Sequence, residues 1–309
     1  MRVAAIDCGT NSIRLLVADA DEGGLVDLTR QMRVVRLGQD VDRTGRLADE
    51  ALGRTFAATE EYAGLIRDLG VERVSFVATS ASRDASNADV FMDGVEERLG
   101  VRPQIIPGTR EAELSFLGAT TGLGLQLPDP VLVVDIGGGS TEFARGRAGR
   151  LESSISMNMG SVRVTERFLK QGLRNEAVAF IRGLLAEADV TVDFQTVGAL
   201  VGVAGTVTTV TANHLRLDKY RPDRIHGTQM SVEQVLASCR ELEQATVADM
   251  EAMHFMHPGR RDVIAAGALI WSELVGAVDA AVRSSGRDLG RVVTSEHDIL
   301  DGIALDLAR

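Results

Sequence analysis

The sequence predicts an α/β protein with two similar lobes. The pattern Asp-x-Gly-x-x-Ser occurs at residues 7–12 and again at 135–140, each time between two apolar segments typical of strands. Residues 122–130 are rich in Gly, Leu and Pro, and the strand pattern restarts after them. An echo at this long interval indicates a repeated lobe and not a tandem array of short repeats. We therefore expect lobes over residues 1–127 and 128–309.

Bulk composition narrows the class of protein. The chain has 309 residues, of which 45% are apolar and 25% charged, which is typical of a soluble globular protein with about two domains. Its net charge of −11, without a Lys- or Arg-rich block, argues against a nucleic-acid-binding protein. No signal peptide precedes the first strand, and no segment reaches the length needed to span a bilayer. We expect a cytoplasmic protein without a membrane partner.

The first lobe is predicted to open with an antiparallel meander. Its three strands are expected over Val3–Ile6, Ile13–Ala18 and Leu25–Leu37, with turns at the Asp-Gly motif and at residues 21–24. The remaining elements are expected in this order: a helix over Ala51–Leu69, a strand over Val74–Ala78, a helix capped by Asn87 and ending near Leu99, a strand over Val101–Ile106, and a helix capped by Thr109 that reaches about Gly122.

The second lobe is predicted to repeat the opening strands. A strand is expected over Val131–Val134, and another directly after the second Asp-Gly motif. Further strands are expected over Leu151–Met157, Leu200–Ala204 and Val292–Thr294, and helices over Ser231–Leu242 and Asp262–Val282. A last helix is expected from about Ser295. This helix, over about residues 295–309, can pack back on the first lobe, so the boundary at this end is left open.

The two Asp-Gly turns have the chemistry of phosphate-binding loops. An Asp at a strand end, followed by Gly and a hydroxyl residue, gives a tight turn with exposed backbone N–H groups that suit an anion. The carboxylate can hold a hydrated Mg²⁺, which usually keeps water ligands and meets phosphates. One such turn is more often a plain Gly-rich hairpin. Two copies at matched spacing, one in each lobe, favour a pair of loops that grips phosphate from both sides.

A third glycine motif, Gly205-Thr206, follows a predicted strand and opens a predicted helix. The free N–H groups and the positive dipole end of a helix N-terminus favour an anion. The same arrangement is common as ordinary packing, so the motif gains weight only together with the two loops.

These three motifs resemble the superfamily of actin, sugar kinases and heat-shock ATPases, and more narrowly the exopolyphosphatase and guanosine pentaphosphate phosphatase (Ppx/GppA) family. The segments that carry the resemblance run in the family's order: Ala5–Ala18, Ala78–Asn87, Ile106–Leu114, Asp135–Glu142, Gly160–Glu166, Gly202–Thr206 and Asp262–Ala268. The resemblance implies the short two-domain form of this family, with two actin-like (ribonuclease H-like) lobes and a phosphate-binding cleft between them.

The resemblance also implies roles for individual residues. Glu111 takes the position of the catalytic glutamate, which orients or deprotonates the attacking water. Asp135 and Glu142 take positions tied to a metal, Mg²⁺ or Mn²⁺, and Asp7 is a third candidate ligand. The candidate substrate-binding residues belong to the loops, to the later glycine motif and to two arginines: Asn11, Ser12, Arg14, Arg83, Gly137, Gly138, Gly139, Ser140, Thr141, Gly205 and Thr206.

The sequence position of Glu111 agrees with a catalytic role. It is predicted in the first turn of a helix, where the dipole favours the ionised carboxylate that a base requires. A glutamate there is also common as a plain dipole-stabilising residue, and it is the resemblance that favours catalysis. Glu113 is the alternative, although it would point to a different face of the helix.

The resemblance implies a hydrolase that releases terminal orthophosphate from inorganic polyphosphate, with a preference for short chains, and that forms a homodimer. Three alternatives stay open. The first is hydrolysis of the 5′-phosphate of guanosine pentaphosphate, the second is a kinase of the same superfamily, and the third is a non-catalytic sensor of a phosphorylated ligand. An intact Glu111 and two intact loops argue against the third.

Overall fold

A computed structural model describes residues 1–21, 23–124 and 126–309. Glu22, in the turn predicted for the first lobe, and Leu125, in the predicted boundary segment, lie outside the described residues.

The chain divides into two compact units. The first unit contains Met1–Gly118 together with Ile299–Arg309, and the second contains Ala119–Asp298. The division therefore falls before the expected boundary after residue 127, and the last helix belongs to the first unit.

Eleven strands and thirteen α-helices occur in the described residues. The strands are β1 Arg2–Cys8, β2 Ser12–Asp21, β3 Gly24–Val34, β4 Arg73–Ala78, β5 Gln104–Ile105, β6 Val131–Ile136, β7 Thr141–Arg147, β8 Arg150–Met157, β9 Ala199–Val203, β10 Gln229–Met230 and β11 Val292–Thr294. The helices are α1 Val41–Thr44, α2 Asp49–Asp68, α3 Ser80–Asp84, α4 Ala88–Leu99, α5 Gly108–Gly122, α6 Ser161–Arg167, α7 Arg174–Val192, α8 Ala204–His214, α9 Pro222–Ile225, α10 Val232–Gln244, α11 Val247–Ala252, α12 Ile264–Ser284 and α13 Ile299–Leu307.

The two units share one sheet plan. The first unit has a five-stranded sheet in the order β3-β2-β1-β4-β5, and the second has a six-stranded sheet in the order β10-β11-β9-β6-β7-β8. In each sheet the first three strands form an antiparallel meander, and a later strand, β4 or β9, lies parallel to the first strand of that meander. Read from β8, the second sheet repeats the first and adds β10 at one edge. This confirms the α/β class and the repeated lobe.

The first sheet is covered on both faces, because successive strand residues point to opposite sides. Ile6 of β1 belongs to a buried cluster with Tyr62 of α2. Ala5, the preceding residue, belongs to a second cluster with Ile303 of α13. Burying one large aliphatic side chain contributes roughly 1.5–3 kcal/mol, so α13 is firmly anchored on this face.

The core of the second unit surrounds helix α12, which corrects one statement from the sequence. This helix has 21 residues and is long and apolar enough, by length and composition only, to span a membrane, so the prediction that no segment reaches that length was wrong. Its side chains Trp271, Leu274 and Val278 are buried in the main core cluster of this unit. A helix that is apolar on most sides is expected where other elements surround it.

One predicted helix cap was wrong, and the other was right in position but makes no side-chain cap bond. Helix α5 begins at Gly108, so Thr109 lies inside it. Asn87 precedes α4, but its side chain makes no cap bond. It binds the backbone of Leu47 instead, since Oδ1 accepts from the Leu47 N–H at 2.8 Å and Nδ2 donates to the Leu47 carbonyl at 3.0 Å. A tertiary partner therefore replaces the local one.

Candidate active site

The two Asp-Gly motifs form the same hairpin turn, one in each unit. The Gly9 N–H donates to the Ser12 carbonyl at 3.0 Å, and the Gly137 N–H donates to the Ser140 carbonyl at 3.0 Å. Each turn connects the first and second strands of its meander. The equal spacing in the sequence therefore reflects equal local structure.

The register of each hairpin places a second charged residue opposite the Asp. Asp7 lies opposite Arg14, and Asp135 lies opposite Glu142. Directly opposed residues of antiparallel strands share one face of the sheet. In the first unit the result is an ion pair, because Arg14 Nη2 and Nε donate to Asp7 Oδ2 at 2.7 and 3.0 Å. In the second unit it is a pair of carboxylates. The two hairpins therefore share a backbone arrangement but differ in the charges that they place opposite the Asp.

The second loop, residues 137–140, is oriented by the first residues of α6. The carbonyls of Gly137, Gly138 and Gly139 accept hydrogen bonds from residues 161–163 at distances between 2.8 and 3.2 Å. The C=O and N–H of a trans peptide point in opposite directions. The N–H groups that follow these carbonyls are therefore directed away from α6, as an anion-binding loop requires.

Gly160 makes this contact sterically possible. A Cβ atom at this position would lie 2.2 Å from the Gly138 carbonyl oxygen, so any side chain would displace the loop. The first loop is held in a comparable way, since the Thr10 carbonyl accepts from Gly38 at 2.9 Å and the Asn11 carbonyl accepts from Arg36 at 2.8 Å. Both loops are fixed from one side by their own unit.

The carboxylate pair of the second unit fits Mg²⁺ or Mn²⁺. Asp135 and Glu142 are both buried, and Ser156 Oγ donates to Glu142 Oε1 at 2.7 Å. Mg²⁺ typically takes one or two protein carboxylates and completes its shell with water and phosphate oxygens. Within residues 1–21, 23–124 and 126–309 no group of three or more His, Cys, Asp or Glu side chains is placed to hold a metal. Asp7, the third predicted ligand, has its Oδ2 bound by Arg14 at 2.7 Å.

Glu111 lies in the first turn of α5, as predicted, and its carboxyl is buried. Arg83 Nη1 donates to Glu111 Oε2 at 2.7 Å and to the Ile106 carbonyl at 2.8 Å. Burial raises the pKa of Glu111 from 4.5 to about 7, although the charge and hydrogen bond of Arg83 act in the opposite direction, and the nearby Asp7 adds to the rise. The net shift of this pKa is upward, whereas we expected the position in the first helical turn to favour the ionised form. A carboxyl with a pKa near 7 suits a general base at neutral pH.

The predicted alternative, Glu113, has a different environment. Its side chain is 51% exposed and is paired with Arg110 at 2.7 Å, and Arg110 also binds Asp306 of α13. Glu111 and Glu113 therefore lie on different faces of α5, as their spacing predicts. Of the two glutamates, only Glu111 is buried.

The Gly205-Thr206 motif is packed more tightly than its sequence indicates. A Cβ atom on Gly205 would lie 1.4 Å from Arg260 Nη1, so the guanidinium rests directly on this glycine at the start of α8. The Thr206 hydroxyl lies against α12, where a Cβ on Gly267 would approach it to 2.4 Å. Thr206 can therefore offer its backbone N–H to an anion, whereas its side chain faces the core.

Sequence reasoning missed three polar residues of these sites. Ser156 reaches Glu142 only through the β7–β8 register, and Arg260 reaches Gly205 from a 3₁₀ turn distant in sequence, so neither had a local signal. Arg163 lies inside a segment that carries the family resemblance, and its neighbours were singled out instead. Of the residues predicted in the first unit, Arg83 and Glu111 are in contact, and Arg14 contacts Asp7.

A cavity of about 930 Å³ in the second unit contains none of the predicted site residues. It is lined by helices α7, α10 and α12. Its charged groups include two ion pairs, Arg174 with Glu243 and Arg182 with Glu273, each at 2.6 Å. These charges neutralise each other and leave no reason to place the phosphate chemistry there.

Two matched glycine turns, a buried carboxylate pair and a buried glutamate of raised pKa are typical of an α/β protein that acts on phosphate groups. Residues 16–286 match the Ppx/GppA phosphatase family, and the chain belongs to this family.

Individual relatives extend over nearly the whole chain. Exopolyphosphatase 2 of Mycobacterium tuberculosis is 43% identical, with 99% of this chain and 98% of that protein aligned. A bifunctional 3-dehydroquinate synthase/phosphatase of Fusobacterium nucleatum is 31% identical over 98% of this chain but only 46% of its own length.

Solved structures of similar proteins have the same fold over nearly the whole chain. An exopolyphosphatase-like protein superimposes with a TM-score of 0.95 at 45% identity, covering 99% of this chain and 97% of that one. A Ppx/GppA protein of Aquifex aeolicus gives a TM-score of 0.79 at 29% identity, with 99% and 97% covered. These similarities confirm the α/β fold of the Ppx/GppA family that the resemblance predicts.

Proposed function

We propose that the protein is an exopolyphosphatase, a phosphoric anhydride hydrolase that releases orthophosphate from the end of inorganic polyphosphate. The observation that carries the mechanism is the state of Glu111, which is buried, held by Arg83 and has a pKa of about 7. The substrate class is supported by exopolyphosphatase 2 of Mycobacterium tuberculosis, which aligns over almost the full length of both chains.

The proposed reaction is attack of water on the terminal phosphorus. As the water oxygen forms its bond to phosphorus, its proton passes to a carboxylate oxygen of Glu111. The anhydride bond to the rest of the chain breaks, and the shortened polyphosphate leaves with the bonding electron pair. Phosphoryl transfer needs mainly positioning and charge stabilisation, which loop N–H groups and Arg83 can supply. Arg83 would then exchange part of its contact with Glu111 for a phosphate oxygen.

We propose that Asp135 and Glu142 hold a divalent cation, Mg²⁺ or Mn²⁺. When bound, the cation would neutralise charge on the phosphate oxygens. The adjacent buried carboxylates, with Ser156 fixing one of them, support this role. Short polyphosphate chains, a homodimer and a cytoplasmic location are further proposals, which chain-length assays, sedimentation and cell fractionation would test.

The experiment is orthophosphate release from short-chain polyphosphate, with Mg²⁺ and with EDTA. The variants are Glu111→Gln and, as a matched control on the exposed face of the same helix, Glu113→Gln. Loss of a general base typically lowers the rate by about 10²–10⁴-fold, and we expect this for Glu111→Gln only. EDTA should abolish release by the unmodified protein. Release by Glu111→Gln within a few-fold of the parent rate would overturn the assignment.

Guanosine pentaphosphate is the comparison substrate. The relatives that match over their full length do not favour it, since they are named exopolyphosphatases. Equal or faster release of its 5′-phosphate would replace polyphosphate in the proposal. Transfer of phosphate from ATP to an acceptor without orthophosphate would indicate a kinase, and metal-dependent binding without turnover would indicate a sensor.

A further inference from the structure

The second loop is held at three successive carbonyls, and the third is held differently from the first two. The carbonyls of Gly137 and Gly138 accept from backbone N–H groups at the start of α6, at distances between 2.8 and 3.2 Å. Every residue except proline supplies a backbone N–H, whatever its side chain. The Gly139 carbonyl accepts from a side chain, because Arg163 Nε donates to it at 2.9 Å. The orientation of this last peptide therefore depends on the identity of one residue.

The contact between Arg163 and the loop is a charge-assisted hydrogen bond, since the guanidinium is always protonated. Such bonds are roughly twice as strong as neutral ones. Gly139 and the next residue, Ser140, are both buried, so water competes little for this carbonyl. The backbone N–H of Arg163 also donates to the Gly138 carbonyl, at 3.2 Å. One residue of α6 thus holds two consecutive peptides of the loop.

The peptide between Gly139 and Ser140 carries the effect of Arg163 to the other side of the loop. Its C=O and N–H point in opposite directions, so fixing the carbonyl on Arg163 directs the Ser140 N–H away from α6. A cation bound to the carbonyl also polarises the peptide, and chains of hydrogen bonds strengthen one another. The Ser140 N–H is thereby both oriented and made a better donor to an anion.

The charges of the two hairpins give the Arg163 guanidinium a second role. In the first unit, Asp7 is paired with Arg14 at 2.7 Å, so a cation stands opposite the carboxylate. In the second unit, Asp135 stands opposite Glu142, and two carboxylates next to a loop repel an anion. Arg163 brings a positive charge to this loop from the side of α6, which offsets part of that repulsion.

We propose that Arg163 is a positioning residue for the substrate phosphate: through the Gly139 carbonyl it directs the Ser140 N–H toward a phosphate oxygen and strengthens that bond. The inference rests on the proposed phosphohydrolase function. It assigns the phosphate contact of Ser140 to its backbone N–H, and Arg163 acts through this peptide without touching the substrate.

The first test measures kcat and KM for short-chain polyphosphate in Arg163→Met, which keeps an unbranched side chain but removes the donor and the charge. We expect kcat/KM to fall about 10- to 100-fold, less than the loss of a donor in direct contact with the reacting group. Arg167→Met is the matched control, because this exposed arginine of the same helix stacks over Phe180. A value for Arg163→Met within a few-fold of the parent, or an equal loss in Arg167→Met, would overturn the proposal.

The second test reads the Ser140 N–H directly by NMR. The sequence contains two Gly-Ser pairs, Gly139-Ser140 and Gly160-Ser161. Protein made by cell-free synthesis with ¹³C-carbonyl glycine and ¹⁵N-serine therefore gives two signals in a carbonyl-filtered amide spectrum, and Ser140→Ala assigns them. Inorganic phosphate should move the Ser140 amide proton downfield in the parent protein and much less in Arg163→Met. The Ser161 amide, which donates to the Gly137 carbonyl at 2.9 Å, should report an intact loop in both proteins.

The outcomes of this titration separate the inference from the proposed function. An equal phosphate response of Ser140 in the parent and in Arg163→Met, or no response in the parent, would overturn the role of Arg163. If the parent releases no orthophosphate from polyphosphate, the proposed function fails, while the Ser140 signal still decides whether Arg163 prepares this loop for phosphate. Urea-induced unfolding checks that the variants fold, and Arg163→Gln replaces Arg163→Met if the methionine variant does not.

Discussion

Replacing Glu111 by Gln is expected to stabilise the folded protein at alkaline pH. The pKa of Glu111 is raised from 4.5 to about 7 by burial, so the folded state holds a proton that the unfolded chain releases more readily. For a group whose pKa is raised on folding, the stabilisation is fully present below the unfolded pKa and is lost as pH rises through the folded pKa. Gln is neutral at every pH and avoids this loss.

The magnitude follows from the two pKa values. Each unit of pKa difference between the unfolded and folded states corresponds to about 1.36 kcal/mol. A rise of the pKa from 4.5 to about 7 therefore lowers the stability of the folded protein by about 3 kcal/mol once Glu111 is ionised. The favourable contact with Arg83 is already contained in this net value. We expect Glu111→Gln to exceed the parent protein in stability by up to about 3 kcal/mol near pH 8.5, and by little at pH 4.5.

The assay is urea-induced unfolding at pH 4.5, 6, 7 and 8.5, with the difference between variant and parent plotted against pH. Glu113→Gln is the control, because this exposed residue should change stability by less than about 1 kcal/mol at any pH. The difference for Glu111→Gln should grow between pH 4.5 and 8.5. A pH-independent difference, or a variant that loses stability as pH rises, would refute the burial argument. Agreement would also show that stability is sacrificed to keep a reactive carboxyl in place.

Three further predictions follow from close contacts. Gly302→Ala should lower the free energy of unfolding by about 1–3 kcal/mol, because the new Cβ would lie 1.9 Å from a carbonyl oxygen of α5. Urea-induced unfolding measures this loss, and Gly53→Ala is the control without a loss, since nothing lies within 4 Å of a Cβ there. Gly160→Ala should leave the fold intact but displace the second loop, with a fall of about 100-fold in kcat/KM, and an unchanged value would contradict the role of this contact. Ser156→Ala should raise the Mg²⁺ concentration for half-maximal activity about tenfold, since Glu142 loses its hydrogen bond; an unchanged Mg²⁺ titration would remove Ser156 from the site.

The repeated hairpin shows how far local sequence reaches in this chain. The Asp-x-Gly-x-x-Ser spacing predicts two equivalent turns, and the structure contains them with the same internal hydrogen bond. The spacing also places Arg14 and Glu142 seven residues after their Asp. It does not reveal that one pair becomes an ion pair and the other a carboxylate pair, because that depends on strand register.

The order of elements and the repeated lobe were determined by the sequence, because strand alternation, helical periodicity and glycine turns are local properties. The position of Glu111 in a first helical turn was determined in the same way. The pKa of Glu111 was decided by tertiary structure, since its burial and its contact with Arg83 come from segments distant in the chain. The same holds for Asn87, whose amide binds Leu47 instead of capping its helix, and for α13, which joins the first unit through contacts at the far end of the sequence.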